Sequence, residues 1–302
     1  MASIHTIGSF PFSATLRDID LVIFHEWMER SVVGREIFNV RESSQYQEDT
    51  LTVGGVGIMS QKLEGQPIDY VANNEGFRNT FTHLDYGSGM RVTRNMLRDD
   101  MYSTMEKLAV ELARSARATE ETILANHFNN GFNSSAATGP DGIELFATNH
   151  VREDGATFAN SLSSAADLSQ TSLEQALIDF SDFRDGGGKR VTIEPKCLLV
   201  PKELKFEAHR LLKSNLVSEN NTNASNPLNN ILDTQVWNYL TDTDAWFLLA
   251  DKGDHELLLY DREEFWTDYE YDFDTKDYKI TGLFAQSSGW ADPRGVFGSP
   301  GV

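Results

Sequence analysis

Residues 99–132 read DDMYSTMEKLAVELARSARATEETILANHFNNGF. Met101, Met105, Leu108, Leu112, Ile123, Leu124 and Phe128 recur at helical intervals with charges between them, and no proline interrupts the run. The spacing predicts one long helix. Asp99 or Asp100 supplies an N-cap, Glu106 and Glu111 lie toward the positive end of the dipole, and Gly131 stands where a left-handed C-cap belongs. About 30 residues at a rise of about 1.5 Å span roughly 45 Å. That exceeds the width of a small domain, so the helix reads as a strut. The plainer alternative is a long helix lying across an ordinary α+β domain.

On either side of this rod the texture changes. SATLRDIDLVIFHEWMER, residues 13–30, predicts an amphipathic helix with Leu16, Ile19, Ile23, Phe24 and Trp27 on one stripe, opened by a Thr15–Asp18 pair resembling a capping box. Between Gly34 and Gly89, β-favouring runs such as TLTVGGVGIM and FRNTFTHLDY are broken by glycines and Pro67. Neither alternation set in them is consistently apolar, so this strand pair offers no single face to its own core and reads as an extended limb. Leu51, Val53, Ile58, Ile68, Val71, Phe77 and Phe81 are then candidate contacts to another surface.

Beyond the rod, GPDG at 139–142 predicts a turn, and Thr171 with Glu174 predicts the start of a helix that runs to Phe183 and ends at DGGGK. VTIEPKCLLV predicts a buried strand with Pro195 at an edge or bulge, and Pro201 opens the next helix. SENNTNASNPLNNI, residues 218–231, is a polar loop that cannot pack a core. AWFLLAD and HELLLYD predict strands; Tyr269, Tyr271 and Phe273 then alternate with acidic residues, as in a half-buried strand.

The composition is that of a globular, soluble chain with room for a substantial core, and no apolar run is long enough to cross a membrane. No basic and apolar leader opens it. Cys197 is the only cysteine, which excludes an intrachain disulfide and any multi-thiolate zinc site. A net charge of −20 with no basic run argues against a chain built to grip nucleic acid.

Common catalytic and cofactor motifs fail at defined positions. In GGVGIMS, Ser60 stands where a dinucleotide fingerprint needs its third glycine, and Gly65 and Pro67 break the helix that should follow. GGGKRV has Phe183 and Arg190 where a phosphate loop needs Gly and Ser or Thr. HEWME has Glu29 in place of the second zinc histidine. DFDTKD places Asp272 and Asp274 as the first ligands of a calcium loop, but Lys276, Asp277 and Leu283 spoil the rest. Cys197 reads as a small core residue. No catalytic, cofactor or metal residue is therefore expected, although a site built from sequence-distant carboxylates would escape such a search.

Taken in order, ARATEETILANHFNNGF, GPDGIELFATNH, CLLVPKELKFEAHRLL with its Asn-rich sequel, AWFLLAD, DFDTKDYK and WADPRGVFGS resemble the major capsid (head) proteins of tailed double-stranded DNA bacteriophages. The series from Gly139 to His150 is most similar to the Mu-type head subunit. The resemblance implies an α+β fold with an N-terminal arm (1–34), an extended β-loop (35–90), a spine helix of a peripheral domain (91–138), an axial domain (139–252), and a peripheral β region with a C-terminal tail (253–302). It implies pentamers and hexamers closing into an icosahedral virion shell, assembled in the host cytoplasm around DNA that is contacted non-specifically. Scaffold, portal and decoration proteins are the implied partners; no cofactor, no enzyme activity and no membrane are implied. Asn221, Asn223 and Asn226 of the polar loop are expected where copies meet around a capsomer axis, since Asn side chains can bond to their own copies without charge repulsion. Two alternatives stay open. One is an encapsulin-like nanocompartment shell; the other is an intracellular hydrolase.

Overall fold

The computed structural model describes residues 23, 26–27, 32–55, 57–68, 70, 75–93, 95, 102–136, 139–216 and 225–302. The rod is helix α2, Tyr102–Asn129, preceded by the short helix α1, Val33–Ile37. With 28 residues, α2 is about 42 Å long. Its buried residues fall into two groups that enter different cores. Ala109, Leu112, Ala113 and Ala116 pack with Ile23, Trp27, Phe265, Ile280 and Phe284, whereas Leu124, Ala125 and Phe128 pack with Phe38, Phe146, Trp237 and Phe247. The rod therefore links two cores, one under a first body and one where that body meets a second.

Two expectations about the rod need correction. Its first contact stripe is carried mainly by alanines, and Leu108 is exposed; small side chains let the helix approach the sheet beneath it closely. Gly131 is not in the left-handed region. A Cβ there would lie 2.6 Å from the Phe146 ring, so glycine is required for close approach, and the Phe146 N–H donates to the Gly131 carbonyl at 2.8 Å. Met101 lies outside the described residues. Of the helix expected over 13–30, the described residues include Ile23 and Trp27, both buried against the rod.

The first body is a four-stranded sheet of order β1-β10-β11-β4, with β1 Asn39–Glu42, β4 Leu84–Val92, β10 Leu257–Tyr271 and β11 Tyr278–Trp290. β1 runs parallel to β10 and the other pairs are antiparallel. β10 and β11 form a long hairpin closed by the DFDTKD turn, where the Asp272 carboxylate accepts from Asp274 N–H at 3.0 Å and Thr275 N–H at 3.2 Å, and Lys276 takes φ 63°. The first four residues of β10 are buried and its outer half is mostly exposed. The alternation at Tyr269, Tyr271 and Phe273 thus covers less than a half-buried face, with Phe273 exposed.

The second body is a four-stranded sheet of order β12-β9-β7-β8, with β7 Pro195–Val200, β8 Asp233–Val236, β9 Trp246–Ala250 and β12 Val296–Ser299. β9 and the last three residues of β7 are apolar on both faces because both are covered, whereas the edge strand β8 is partly exposed. Leu198, Val200, Trp246 and Leu248 face helices α3, Gln170–Phe180, and α4, Lys205–Lys213; Leu199, Phe247 and Leu249 face the end of the rod. Each such fully buried side chain stabilises the fold by roughly 1.5–3 kcal/mol relative to exposure. Pro195 sits at a register shift in the β7–β9 ladder, where its missing N–H costs no bond. α3 begins two residues earlier than the sequence suggested: the capping box is Ser169 with Ser172, whose hydroxyls and N–H groups bond reciprocally. Pro201 accepts from Leu204 N–H in a turn ahead of α4 and does not open the helix itself.

Sheet membership divides the chain differently from the ranges read in the sequence. Residues 39–42 and 84–90, expected in the extended loop, and 91–92, expected in the spine-helix segment, belong to the first sheet. β12, expected in the peripheral region, crosses back to pair with β9. β5 His150–Val151 and β6 Thr157–Phe158 form a small separate ladder, with Phe158 packed against the core of the second body.

Candidate assembly surfaces and the charged joint on the rod

What remains of the limb is a two-stranded ribbon, β2 Gln47–Val53 with β3 Glu75–Thr82, paired antiparallel from Gln47↔Thr82 to Val53↔Glu75. Hydroxyl and carboxylate groups stitch it. Thr52 Oγ1 accepts from Phe77 N–H at 2.8 Å, Thr80 Oγ1 donates to Asp49 at 2.6 Å, and Arg78 pairs with Asp49. Its apolar residues are largely uncovered: Leu51 and Val53 on the ribbon, and Ile58, Met59, Leu63, Ile68 and Tyr70 in the loop beyond, with Ile58 85% and Tyr70 94% exposed. An uncovered apolar group of this size marks an interaction surface.

The expected contact residues are placed unequally. Leu51, Val53, Ile58 and Ile68 are exposed and Phe77 is half-buried, while Val71 lies outside the described residues. Phe81 is spent within the chain: it is 4% exposed and packs on Leu258, Tyr260 and Ala291. Beside it Asn79 Nδ2 donates to the Trp290 carbonyl at 2.7 Å, so the ribbon's root is anchored on the first sheet. In the polar loop, Asn221 and Asn223 lie outside the described residues. Asn226 is committed internally: its Nδ2 donates to Leu211 and Ser214 carbonyls at 2.7 and 2.9 Å, and its Oδ1 accepts from Leu228 N–H at 3.0 Å. It satisfies carbonyls at the end of α4, where helices leave acceptors open.

Where the two cores meet along the rod, periodicity gave no warning of a cluster of buried charge. The Glu120 side chain is fully buried and pairs with Arg35 and, at 2.8 Å, with Arg117. Arg35 also holds Asp261 through two N–H groups at 2.8 and 3.1 Å. Arg117 donates to the Trp27 carbonyl and lies over its ring. Burial would lower the Arg35 pKa, but Glu120 and Asp261 outweigh it and raise it; for Arg117 burial prevails and lowers it. Glu121 accepts from Val33 N–H at 2.7 Å and from the Trp237 indole at 2.6 Å. It supplies the cap that α1 lacks, Val32 having no capping side chain. Burial raises its pKa despite these donors. Glu120 and Glu121 thus join four segments: α1, the rod, β10 and Trp237.

The GPDG series has a structural account. Asp141 Oδ2 bonds His150 Nδ1 at 2.7 Å, with both side chains buried, and Asp141 Oδ1 accepts from Ile143 N–H at 3.2 Å. The pair closes the segment between rod and second sheet. Burial pushes the Cys197 thiol up to about 11, which leaves it protonated at neutral pH and a poor nucleophile. Among the described residues no group of three His, Cys, Asp or Glu side chains is arranged to hold a metal ion, and no helix is long and apolar enough to cross a membrane.

Similar folds are found among phage shells. The capsid of the cyanophage P-SCSP1u superposes with a TM-score of 0.61 at 10% identity, covering 90% of this chain and 89% of that one. The capsid of the native GTA particle gives 0.59 at 11% identity, covering 89% of each. The bacteriophage JBD30 capsid decorated with minor capsid protein trimers gives 0.54 at 16% identity, covering 68% of this chain and 90% of that one. No curated protein matches the sequence. The model of the phage capsid protein family matches residues 78–298, from the ribbon's second strand through the rod and both sheets to β12. On that match, the chain belongs to the phage capsid protein family.

Proposed function

We propose that this chain is the major capsid (head) protein of a tailed double-stranded DNA phage, nearest the Mu-type branch, and that it assembles through pentamers and hexamers into an icosahedral shell. The observation that carries the reading is an uncovered apolar ribbon rooted on the first sheet, beside a rod that spans two separate cores. In this reading the ribbon is the extended loop that laps a neighbouring subunit, the first sheet is the peripheral domain, and the second sheet with α3 and α4 is the axial domain. Leu51, Val53, Ile58, Ile68, Val71 and Phe77 make the lap, and Asn221 and Asn223 face their copies around the capsomer axis. The chain works without a catalytic site or cofactor. Scaffold and portal proteins direct closure, decoration proteins bind outside, and the net charge of −20 keeps the packaged DNA free to slide.

Negative-stain electron microscopy of the chain, alone and coexpressed with its scaffold, tests this reading. Closed hollow particles are expected, whereas a monomer or dimer under every assembly condition would overturn it. Particles that carry a protein cargo and never DNA would move the assignment to a nanocompartment shell.

A further inference from the structure

Beyond its anchored root, the ribbon touches its own chain a second time. Two glycine-rich segments meet there: Gly54, Gly55 and Gly57 at the end of β2, and the turn Asp185–Gly188 after α3. A Cβ on Gly187 would lie 2.4 Å from the Gly55 carbonyl oxygen and 3.0 Å from Gly57 N; one on Gly186 would lie 3.1 Å from Gly54 Cα. One on Gly55 would lie 2.7 Å from Asp185 Oδ2. At Gly187 the obstructing atoms are backbone, so no rotamer change relieves the overlap.

The receiving turn is braced from within. Asp185 Oδ1 accepts from Gly187 N–H at 3.1 Å and Lys189 N–H at 2.8 Å. Arg294 donates to the Arg184 carbonyl at 3.3 Å and pairs with buried Glu153 at the same distance. A rigid turn on the second body therefore faces a ribbon whose far loop is uncovered.

We propose that these segments form a latch that docks the ribbon on its own second body and sets the direction in which the loop at 58–70 is presented. The contact at Gly187 is backbone on backbone, without an apolar side chain as anchor, so it orders the ribbon without committing it. The latch's part in assembly rests on the shell reading above; the docking itself does not.

Gly187→Ala tests it in the full chain, because Gly187 is not left-handed and the three atoms nearest the added methyl all belong to Gly55 and Gly57. Gly253→Ala, where a Cβ meets nothing within 4 Å, is the control. Hydrogen–deuterium exchange of the free subunit is expected to show amides of 52–57 exchanging at least tenfold faster in Gly187→Ala than in wild type or the control, with the thermal midpoint unchanged. Gly55→Ala approaches the joint from the other side and should give the same result. Exchange equal to wild type in a folded variant, or unfolding of both variants, would overturn the latch. Failure of the wild-type chain to form particles would overturn the shell reading and leave the exchange result standing.

Discussion

The strands β2 and β9 show two ways for a strand to be stable. β9 is buried at all five positions because a layer lies on each face: α3 and α4 on one side, the rod on the other. β2 alternates between exposed and half-buried and has one strand neighbour. A lone ribbon of that kind is marginally stable in water. Its hold on the molecule comes from Phe81 and Asn79 at the root and from the glycine-rich segments beyond. The difference teaches that burial within one subunit separates residues that specify the fold from residues left for a partner, although both kinds are apolar.

The contrast is broken most severely by emptying the doubly covered sheet. Phe247→Ala removes a ring that packs against Phe128, Phe132 and Phe146. It should cost about 3–5 kcal/mol, read as a large fall in the urea midpoint. A loss under about 1 kcal/mol would show that the rod's end does not depend on this layer. Next comes the charged joint. Glu120→Ala leaves Arg117 buried without its carboxylate partner and should cost about 3 kcal/mol; a melt matching wild type would show that the joint contributes nothing to linking the cores.

Acid should loosen the packing around the end of the rod and the start of β10, where His127 and His255 lie. Burial pushes His127 and His255 down to about 4 from the ordinary 6.5. Both rings are therefore neutral in the folded state, and their contribution is complete above pH 6.5 and lost as pH falls toward 4. Each ring can account for up to about 3 kcal/mol. Glu121 acts in the opposite sense, since its raised pKa makes ionisation above the ordinary 4.5 unfavourable to folding. Thermal melts between pH 7 and 4 should show a falling midpoint that flattens in His127→Gln; an unchanged slope would contradict the assignment to this ring.

The smallest effect on the subunit is expected at the ribbon's loop. Ile58→Ser with Ile68→Ser should change stability by less than about 0.5 kcal/mol and yet abolish closed particles in electron microscopy. Normal particles from this double variant would remove the loop from the assembly surface.

The rod, the doubly buried strands and the weakly patterned limb were legible in the sequence because each is written as a period: 3.6 residues, a continuous apolar run, or the absence of either. What escaped depends on partners distant in sequence. The alanines of the rod carry no hydrophobic signal of their own, yet they decide how closely the sheet approaches. Nothing local marks Glu120 and Glu121 as buried; the fold brings Arg35, Asp261 and Trp237 to them. Phe81 and Phe77 look alike in the sequence, but the first meets Leu258 and Tyr260 across a separation that no local pattern encodes. The capping box at Ser169 was missed for a different reason: Ser172 fills the role usually read from Glu or Gln.

The return of β12 to β9 has a consequence for timing during synthesis. The second sheet is completed across the whole β10–β11 hairpin, which is made in between. At about 5–20 residues per second, translation leaves β9 without this neighbour for roughly 2–9 s. Through that interval the place of Phe297 in the core beside Trp246 and Leu248 is empty. A nascent chain thus carries an unfinished sheet until residues 296–299 have left the ribosome, and interrupted translation yields a product that lacks a strand of its central fold. Synthesis through residue 299 acts as the checkpoint for a finished second sheet.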